Sequence, residues 1–351
     1  MGGLNLNQVG FLLVTGASRG IGQTMAVECA KVMKPGSLIL LLARSAAGLE
    51  STKGEILRAN DRVTIVTASV DLSEPSKEAL EGIVTKALAN SSKESFQYAL
   101  MIHNVGTLGD VGKWAVDMDN QAIWREHFAM NVFSVAILNA VFMATFPETK
   151  KFIVNVTSKA AIEPFPSMSL YCSSRAAREM YFRCLAAENP TICVLNYSPG
   201  PVDTDMAADI RTNSIDPELK TTMTGLFTSG NLVTRQQTTK KFIQVLQEGA
   251  FASGAHTFMF LTKLAWNSRT TLPLLITAVF LAMDFRMQVE LDLHMENQDF
   301  QNDGSVDDLE DDESGSSSDY YYDSDSSITN EEEEPDHQEI REIHRIQLGI
   351  Q

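Results

Sequence analysis

The sequence predicts an α/β protein with a doubly wound parallel sheet and helices on both faces. Its short apolar runs have the length and composition of buried strands, and they are residues 11–15, 37–43, 64–69, 98–103, 151–156, 192–197 and 256–260. The helical stretches that separate them lie around residues 21–29, 77–90, 122–146, 171–188 and 235–248. Because such alternation produces a parallel sheet between two helical layers, we predict one three-layer α/β/α domain over residues 1–261.

A glycine-rich turn joins the first strand to the first helix. Its residues are Gly16, Ala17, Ser18, Arg19, Gly20, Ile21 and Gly22, with the glycines spaced G-x-x-x-G-x-G. Glycine lets the backbone approach a pyrophosphate closely, and a helix N-terminus offers free N–H groups to the anion. A glycine turn by itself is often only a turn, but this one has a strand before it and a helix after it. The pattern therefore indicates a dinucleotide site in a Rossmann-type fold.

The residues after the second strand favour NADP(H) as the cofactor. An acidic residue at this point would bind a free ribose hydroxyl, whereas this chain has Arg44 and Ser45. Arg44 and Arg19 of the glycine turn could together bind a 2′-phosphate. The alternative is that Arg44 is only a solvated strand end. Ligands in such folds bind at the carboxyl ends of strands, where Asp71, Leu72 and Asn104 also lie.

Ser158, Tyr171 and Arg175 form a candidate set for carbonyl reduction. Tyr171 and Arg175 are four residues apart, so on a helix both side chains share one face. The positive charge favours the phenolate, and a serine from the preceding strand end could hold a carbonyl beside the phenol. Tyr-x-x-x-Arg alone is weak evidence, because most such pairs are ordinary surface contacts. The glycine turn and the fold pattern strengthen it.

Together these residues resemble the short-chain dehydrogenase/reductase family, and within it the sepiapterin reductases. The general features are TGASRGIG, an N-x-G turn after the fourth strand, an asparagine in the long helix, and the serine and tyrosine. The more specific segments are GTLGDVGK (106–113), SLYCSSRAARE (169–179), VLNYSPGPVDTDM (194–206) and SGAH (253–256). The resemblance extends over roughly residues 8–260.

The resemblance implies a role for each matching residue. Tyr171 would donate the proton to the substrate carbonyl, Ser158 would bind that oxygen, and Asn131 would hold a relay water. Arg175 would bind the nicotinamide ribose and tune Tyr171. The segment closing over the nicotinamide and diphosphate would be Val202, Asp203, Thr204, Asp205, Met206 and Ala207. The substrate-contacting positions would be Ser158, Lys159, Tyr171, Gly200 and Phe258. Residues 207–233 would form a lid over the substrate, and their sequence fits this role because it lacks a clear helical or strand period.

Three positions depart from the family pattern. Arg175 stands where the family has lysine, and its guanidinium is bulkier and effectively never deprotonated. Phe258 stands where the substrate-anchoring aspartate is expected, and a phenyl ring cannot accept a hydrogen bond. The turn after the fourth strand is His103-Asn104-Val105-Gly106, and a strand-end histidine such as His103 is more often structural than catalytic.

The implied activity is NADPH-dependent reduction of pterin side-chain ketones in tetrahydrobiopterin synthesis. Two alternatives stay open, namely a reductase of another small carbonyl compound and a catalytically weakened NADP-binding paralogue with a regulatory role.

The family's long helices commonly pair across a twofold axis. Because Ala136, Leu138, Val141 and Phe142 place apolar residues on more than one face, we expect a homodimer.

The acidity of the chain belongs to its C-terminal part. Residues 262–351 have 22 acidic and 5 basic side chains, whereas residues 1–261 have 23 of each, so the net charge of −17 comes from the tail. Residues 285–351 lack the apolar side chains for a core and are predicted to be disordered. The charge disfavours nucleic acid as a partner; the tail either solvates the protein or binds a basic partner.

An apolar run at residues 272–283 separates the core from this tail, within a linker of residues 262–284. Twelve residues are too few for a convincing membrane span, which needs about 20. The run could instead be a packed helix, an interfacial segment or the product of an unusual gene model. We expect a cytoplasmic protein, since the N-terminus lacks signal-peptide features and the four cysteines show no CxxC spacing. No His and carboxylate cluster indicates a metal.

Removal of residues 285–351 should leave the melting temperature and the NADPH dissociation constant unchanged, because this segment contributes no apolar burial. Thermal unfolding and cofactor titration of the full and shortened chains measure both quantities. A shortened chain that melts several degrees lower, or loses NADPH binding, would show that the tail packs on the core.

Overall fold

The computed structural model describes residues 2–74 and 76–259. The predicted domain boundary at residue 261, the apolar run 272–283 and the acidic tail 285–351 lie outside the described residues. The strands are β1 (Gly10–Thr15), β2 (Leu38–Ala43), β3 (Thr64–Ser69), β4 (Tyr98–His103), β5 (Lys151–Val156), β6 (Cys193–Ser198) and β7 (His256–Phe258). They form one parallel sheet in the order β3-β2-β1-β4-β5-β6-β7. The predicted fold class is confirmed.

Helices cover both faces of this sheet. They are α1 (Gly20–Ala30), α2 (Ala46–Ala59), α3 (Lys77–Leu88), α4 (Gln121–Phe128), α5 (Ser134–Thr145), α6 (Ser169–Glu188), α7 (Asp205–Asn213), α8 (Pro217–Thr228) and α9 (Arg235–Glu248). The strand order changes direction between β1 and β4, where the two halves of the sheet diverge. Ligands of doubly wound folds bind in the crevice at such a point.

The core consists of an apolar layer on each side of the sheet. Along β1, Leu12 and Val14 face the layer that includes α1 and α9, whereas Phe11 and Leu13 face the layer that includes α3, α5 and α6. The Phe11 ring lies 4.7 Å from that of Phe146, centroid to centroid. Burial of each such side chain contributes about 1.5–3 kcal/mol. Strands that are buried on both faces have continuous apolar sequences, and this made β1, β2, β4, β5 and β6 predictable.

Three helical predictions differ from the structure. Helix α2 was not predicted, because AAGLESTKGEILRA buries only Leu49, Thr52 and Ile56 and so has a weak apolar stripe. Residues 207–233 were expected to lack a helical period, yet α7 and α8 lie there. Each of these helices has an N-terminal side-chain cap, Thr204 for α7 and Asp216 for α8. Such caps stabilise a helix whose apolar pattern is weak.

The predicted helix at 122–146 is interrupted at Ala129–Phe133 by a turn of π-helix between α4 and α5. The whole stretch Gln121–Thr145 is long and apolar enough to cross a membrane. That is weak evidence for a span, since core helices of soluble proteins meet the same criteria, and α5 packs into the core through Leu138, Val141 and Phe142. These three residues are buried by their own domain and do not by themselves indicate a partner chain, so the predicted homodimer stays a prediction.

Candidate active site

The glycine turn is held by an asparagine from the neighbouring strand end. Asn104 Nδ2 donates to the carbonyl oxygens of Thr15 at 3.1 Å and Gly16 at 3.3 Å. A Cβ at Gly22 would lie 2.5 Å from both Asn104 Nδ2 and the Gly16 carbonyl oxygen. Glycine is thus required at position 22 by this close approach.

The same turn leaves room for an anion at its outer edge. Gly20 has a φ of +64°, which favours glycine, and a Cβ built there would meet no atom within 4 Å. Helix α1 begins at this residue, and its N-cap Arg19 makes no capping hydrogen bond through its side chain. The first N–H groups of a helix have no acceptor within the helix, so the start of α1 offers donors for a pyrophosphate.

Four of the residues predicted to bind the cofactor follow β2 and β3, namely Arg44, Ser45, Asp71 and Leu72. Ser45 caps α2 by accepting a hydrogen bond from Gly48 N at 3.1 Å, while the Arg44 side chain is exposed. A hydrogen bond from Ser73 N at 2.9 Å lowers the pKa of Asp71, and the nearby charge of Arg44 acts in the same direction. Leu72 is buried. Arg44 is therefore the accessible cation at this end of the site.

An ion pair between Arg19 and Asp205 joins the glycine turn to the start of α7. Both side chains are more than three-quarters exposed, so the pair contributes little stability, about 0–1 kcal/mol. Asp203 N donates to the Val233 carbonyl oxygen at 2.9 Å and Thr204 caps α7. The ion pair thereby places the start of α7 beside the glycine turn. The segment predicted to close over the cofactor consists of Val202, Asp203, Thr204, Asp205, Met206 and Ala207.

Tyr171 and Arg175 lie on the buried face of α6, one turn apart. The Arg175 Cζ is 4.8 Å from the centroid of the Tyr171 ring, within the range of a cation–π contact. Arg175 Nη1 donates to the Val156 carbonyl oxygen at 3.1 Å, which ties α6 to the end of β5. Its Nε is buried with no hydrogen-bond partner among the described residues. The guanidinium therefore packs against the tyrosine and is held by a strand end.

A second arginine, Arg178, lies deeper in the same face and is only 1% exposed. It donates to the carbonyl oxygens of Val105, at 2.8 Å, and His103. Burial lowers the pKa of Arg178, and the charge of Arg175 lowers it further. Arg178 thus fixes the end of β4 and the turn that follows it.

His103 was interpreted as structural, and it lies inside the fold with no exposed surface. Its ring is 5.1 Å from Phe182, and its Nε2 is 3.5 Å from Asn139 Oδ1. Burial, followed by the charge of Arg178, lowers the pKa of His103 well below its ordinary value. The ring is therefore a neutral core group at pH 7.

Asn131 lies in the π-helical turn and belongs to a buried polar network. Its Oδ1 accepts from Thr107 N at 3.0 Å, and its Nδ2 donates to Thr107 Oγ1 and to the His127 carbonyl oxygen. His127 Nε2 is 2.9 Å from Ser174 Oγ on α6. A π-helical turn inserts one residue into the helical repeat, and such turns are frequent at functional sites. Here the turn carries Asn131 toward α6.

The predicted substrate side is bounded by apolar side chains. Tyr171 belongs to a buried cluster whose other members include Leu108, Met168, Leu219 and Met223, so α8 covers this region. Ser158 follows β5 and accepts a hydrogen bond from Ala160 N at 3.2 Å. Lys159 pairs with Glu163 at 2.6 Å, and its side chain is about a quarter exposed. Gly200 follows β6 with a φ of +80°.

Phe258 pairs with Ser198 at the carboxyl end of β7, next to the segment that leads to Gly200. Its ring lies 4.3 Å from that of His256. His256 Nδ1 contacts both carboxylate oxygens of buried Glu179 at 2.9 Å, and Thr157 Oγ1 donates to Glu179 Oε2 at 2.8 Å. Phe258, at the position where the resemblance predicts an aspartate, therefore packs against the ring of His256.

Comparisons with known proteins agree with this geometry. The family model for short chain dehydrogenases matches residues 11–215. The chain belongs to the short-chain dehydrogenase/reductase family. It is 36% identical to a sepiapterin reductase from Meriones unguiculatus over 70% of this chain and 94% of that protein. It is 37% identical to a sepiapterin reductase from Xenopus tropicalis, over 71% of this chain and 95% of that protein.

A solved short-chain dehydrogenase/reductase from Saccharomyces cerevisiae has the same fold, with a TM-score of 0.62. It is 26% identical, covering 73% of this chain and 98% of that one. The protein is accordingly an oxidoreductase of a family that binds a nicotinamide cofactor, and it resembles sepiapterin reductase. Among the described residues there is no group of His, Cys, Asp or Glu side chains that could hold a metal.

Several residues of this reductase site were not found from the sequence. They include Arg178, Glu179 and His256. The sequence pattern predicts the helix or strand in which each lies, but it does not predict how deeply their side chains are buried. His127 lies four residues before Asn131, and that helical spacing was the available signal. This spacing did not identify the polar network, because the partner of His127 on α6 is 47 residues away in the sequence.

Gly22→Ala should reduce affinity for the nicotinamide cofactor at least tenfold and destabilise the protein by about 1–3 kcal/mol, since the new Cβ displaces Asn104 and the Gly16 carbonyl. The matched control is Gly82→Ala in α3, where a Cβ meets no atom within 4 Å. That change should stabilise the helix by about 0.5–1 kcal/mol. Cofactor titration and thermal unfolding measure both effects; wild-type behaviour of Gly22→Ala would contradict the assigned packing.

Proposed function

We propose that this protein is an NADPH-dependent carbonyl reductase that reduces side-chain ketones of pterins. The observation that carries the proposal is the buried Tyr171 with the Arg175 guanidinium 4.8 Å from its ring centroid, in a family whose members are oxidoreductases. The pterin substrate is supported by the sepiapterin reductases, which are 36–37% identical over nearly their whole length.

Each polar residue then has a task in the reduction. The bound nicotinamide supplies the hydride. Tyr171 donates the proton to the carbonyl oxygen, and the positive charge of Arg175 stabilises the phenolate that remains. The Ser158 hydroxyl donates to the same carbonyl oxygen. Asn131 holds the water through which Tyr171 regains its proton, and the apolar cluster under α8 excludes other water from the reacting atoms.

The choice of NADPH over NADH depends on the arginines at the cofactor end of the site. Arg44 is exposed beside Asp71, and Arg19 is exposed in the glycine turn, so both can reorient toward a 2′-phosphate. No acidic residue follows β2 directly, where it would repel that phosphate. Arg19 would exchange Asp205 for the phosphate, and the exposed pair opposes this exchange only weakly.

NADPH should bind more tightly than NADH by about 1.5–3 kcal/mol, the contribution of one charge-assisted contact. Arg44→Ala should remove most of this difference by weakening NADPH and leaving NADH unchanged. Dissociation constants of both cofactors for the wild type and the variant measure it. Equal affinities in the wild type would overturn the NADPH assignment.

A second function is favoured by the surroundings of Arg175. Its Nη1 is engaged with the Val156 carbonyl and the guanidinium does not lose a proton at accessible pH, so it cannot relay protons as a lysine can. Phe258 offers a pterin ring no acceptor. A protein that binds NADP but reduces carbonyls slowly, with a regulatory role, is consistent with both features.

NADPH oxidation with sepiapterin and a panel of small diketones separates these functions. We expect a weak but measurable rate in the wild type, because Arg175 keeps the charge beside Tyr171, and a modest increase in Arg175→Lys. If lysine is required, Arg175→Lys should raise the reduction rate at least tenfold, which corresponds to about 1.4 kcal/mol of activation free energy. Tyr171→Phe is the control and should abolish all activity. A Tyr171→Phe protein as active as wild type would exclude the proposed chemistry.

We also propose that the reductase is a homodimer through α4, α5 and α6. Phe133, between α4 and α5, is 52% exposed and Met180 on α6 is 53% exposed. Large apolar side chains exposed on neighbouring helices are typical of an interface. Both lie on the outer surface of the helices whose inner faces carry Asn131 and Tyr171.

Phe133→Asp should convert the dimer to a monomer at micromolar concentration, because it puts a charge into an apolar interface. Val116→Asp is the matched control, since Val116 is 86% exposed on a different segment and should leave the mass unchanged. Light scattering gives the mass of each protein. A wild type that is only monomeric would contradict the proposal.

A further inference from the structure

A polar network in the interior joins the catalytic helix to the turn that carries Asn131. Ser174 Oγ donates to the Tyr171 carbonyl oxygen at 3.0 Å and lies 2.9 Å from His127 Nε2. His127 Nδ1 lies 3.4 Å from Thr107 Oγ1, which accepts from Asn131 Nδ2 at 3.2 Å. The network therefore runs from the backbone of Tyr171, through Ser174, His127 and Thr107, to the side chain of Asn131.

All the hydrogen bonds of this network can form at the same time with only one arrangement of donors and acceptors. A carbonyl oxygen only accepts, so the single proton of Ser174 goes to Tyr171 and Ser174 must accept from His127 Nε2–H. His127 Nδ1 then has no proton and accepts from the Thr107 hydroxyl. Thr107 in turn uses its oxygen to accept from Asn131. The arrangement requires a neutral His127 with its proton on Nε2.

The electrostatic surroundings keep His127 in that state. Burial lowers its pKa to about 4, and the charge of Arg175 on the adjoining α6 contributes in the same direction; a backbone hydrogen bond at Leu170 opposes both. Protonation of Nδ1 would remove the acceptor for Thr107 and place a second cation near Arg175. His127 is therefore held neutral over the pH range in which such an enzyme works.

We propose that His127 is a positioning residue for Tyr171: its neutral, Nε2-protonated imidazole links Ser174 on the catalytic helix to Thr107 and Asn131. The step from this link to turnover rests on the proposed reductase function. Tyr171 must meet a carbonyl oxygen at hydrogen-bond distance, and a displacement of about 1 Å can cost about a hundredfold in rate. The guanidinium of Arg175 lies against Gly106, the neighbour of Thr107, so this network lies directly beside the Tyr171–Arg175 pair.

The first experiment measures kcat and KM for sepiapterin in the full-length protein with saturating NADPH. Ser174→Ala and His127→Phe should each lower kcat about ten- to a hundredfold and leave KM within about twofold, since neither residue contacts the substrate. The double variant should be no slower than the slower single variant, because both changes break one network. Ser173→Ala, at the exposed neighbouring position, is the matched control and should match wild type.

His127→Gln should recover part of the rate, because its amide can still donate to Ser174. Multiplicative losses in the double variant, or unchanged kcat in both Ser174→Ala and His127→Phe, would overturn the proposal. Melting temperatures and NADPH affinities identify any variant that fails to fold. If His127→Phe does so, the comparison of Ser174→Ala with Ser173→Ala decides.

The second experiment does not depend on turnover and separates this proposal from the proposed function. Imidazole nitrogen NMR signals should show His127 as the Nε2–H tautomer from pH 8 to about pH 5, with protonation only near pH 4. Ser174→Ala, but not Ser173→Ala, should shift the Tyr171 Cζ signal. An Nδ1–H tautomer, titration near the ordinary pKa, or an unmoved Tyr171 signal would overturn the positioning role. A wild type that shows the tautomer and the shift but reduces no carbonyl would overturn only the reductase function.

Discussion

The site depends on two guanidinium groups that the buried face of α6 carries into the sheet. Arg175 donates to the Val156 carbonyl at the end of β5, and Arg178 donates to the carbonyls of His103 and Val105 at the end of β4. Removing two cations from water is costly unless they are paired or hydrogen-bonded. The carbonyl groups at the strand ends supply the hydrogen bonds that the guanidinium groups need. The same hydrogen bonds hold these strand ends in place relative to α6.

This constraint determines the electrostatic character of the active site. Burial and the charge of Arg175 hold His127 neutral, and burial together with the charge of Arg178 does the same for His103. Both imidazoles therefore serve as hydrogen-bonding groups at pH 7. The phenol of Tyr171 belongs to the apolar cluster, and its ring lies against Arg175. In the proposed reduction, the arginine would supply the positive charge and the tyrosine would transfer the proton.

At the cofactor end of the site, the conformation of the glycine turn depends on close packing more than on charge. Asn104 holds the glycine turn against β4, and the absence of Cβ atoms at Gly16 and Gly22 lets it approach. Gly20 leaves an open edge at the start of α1. The glycine turn matches the family pattern, whereas Arg175 and Phe258 depart from it.

The sequence by itself determined the sheet, the glycine turn and the positions of Tyr171 and Arg175, because their signals are local. Buried parallel strands are continuously apolar, and a turn or an i,i+4 pair lies within a few residues. The tertiary structure alone decided that Arg178, Glu179 and His127 are buried and which groups they bond. The partners of these side chains lie 20 to 77 residues away in the sequence, so no local pattern contains them. It also decided that Leu138, Val141 and Phe142 belong to the core, since only packing shows which face of an apolar helix meets the sheet.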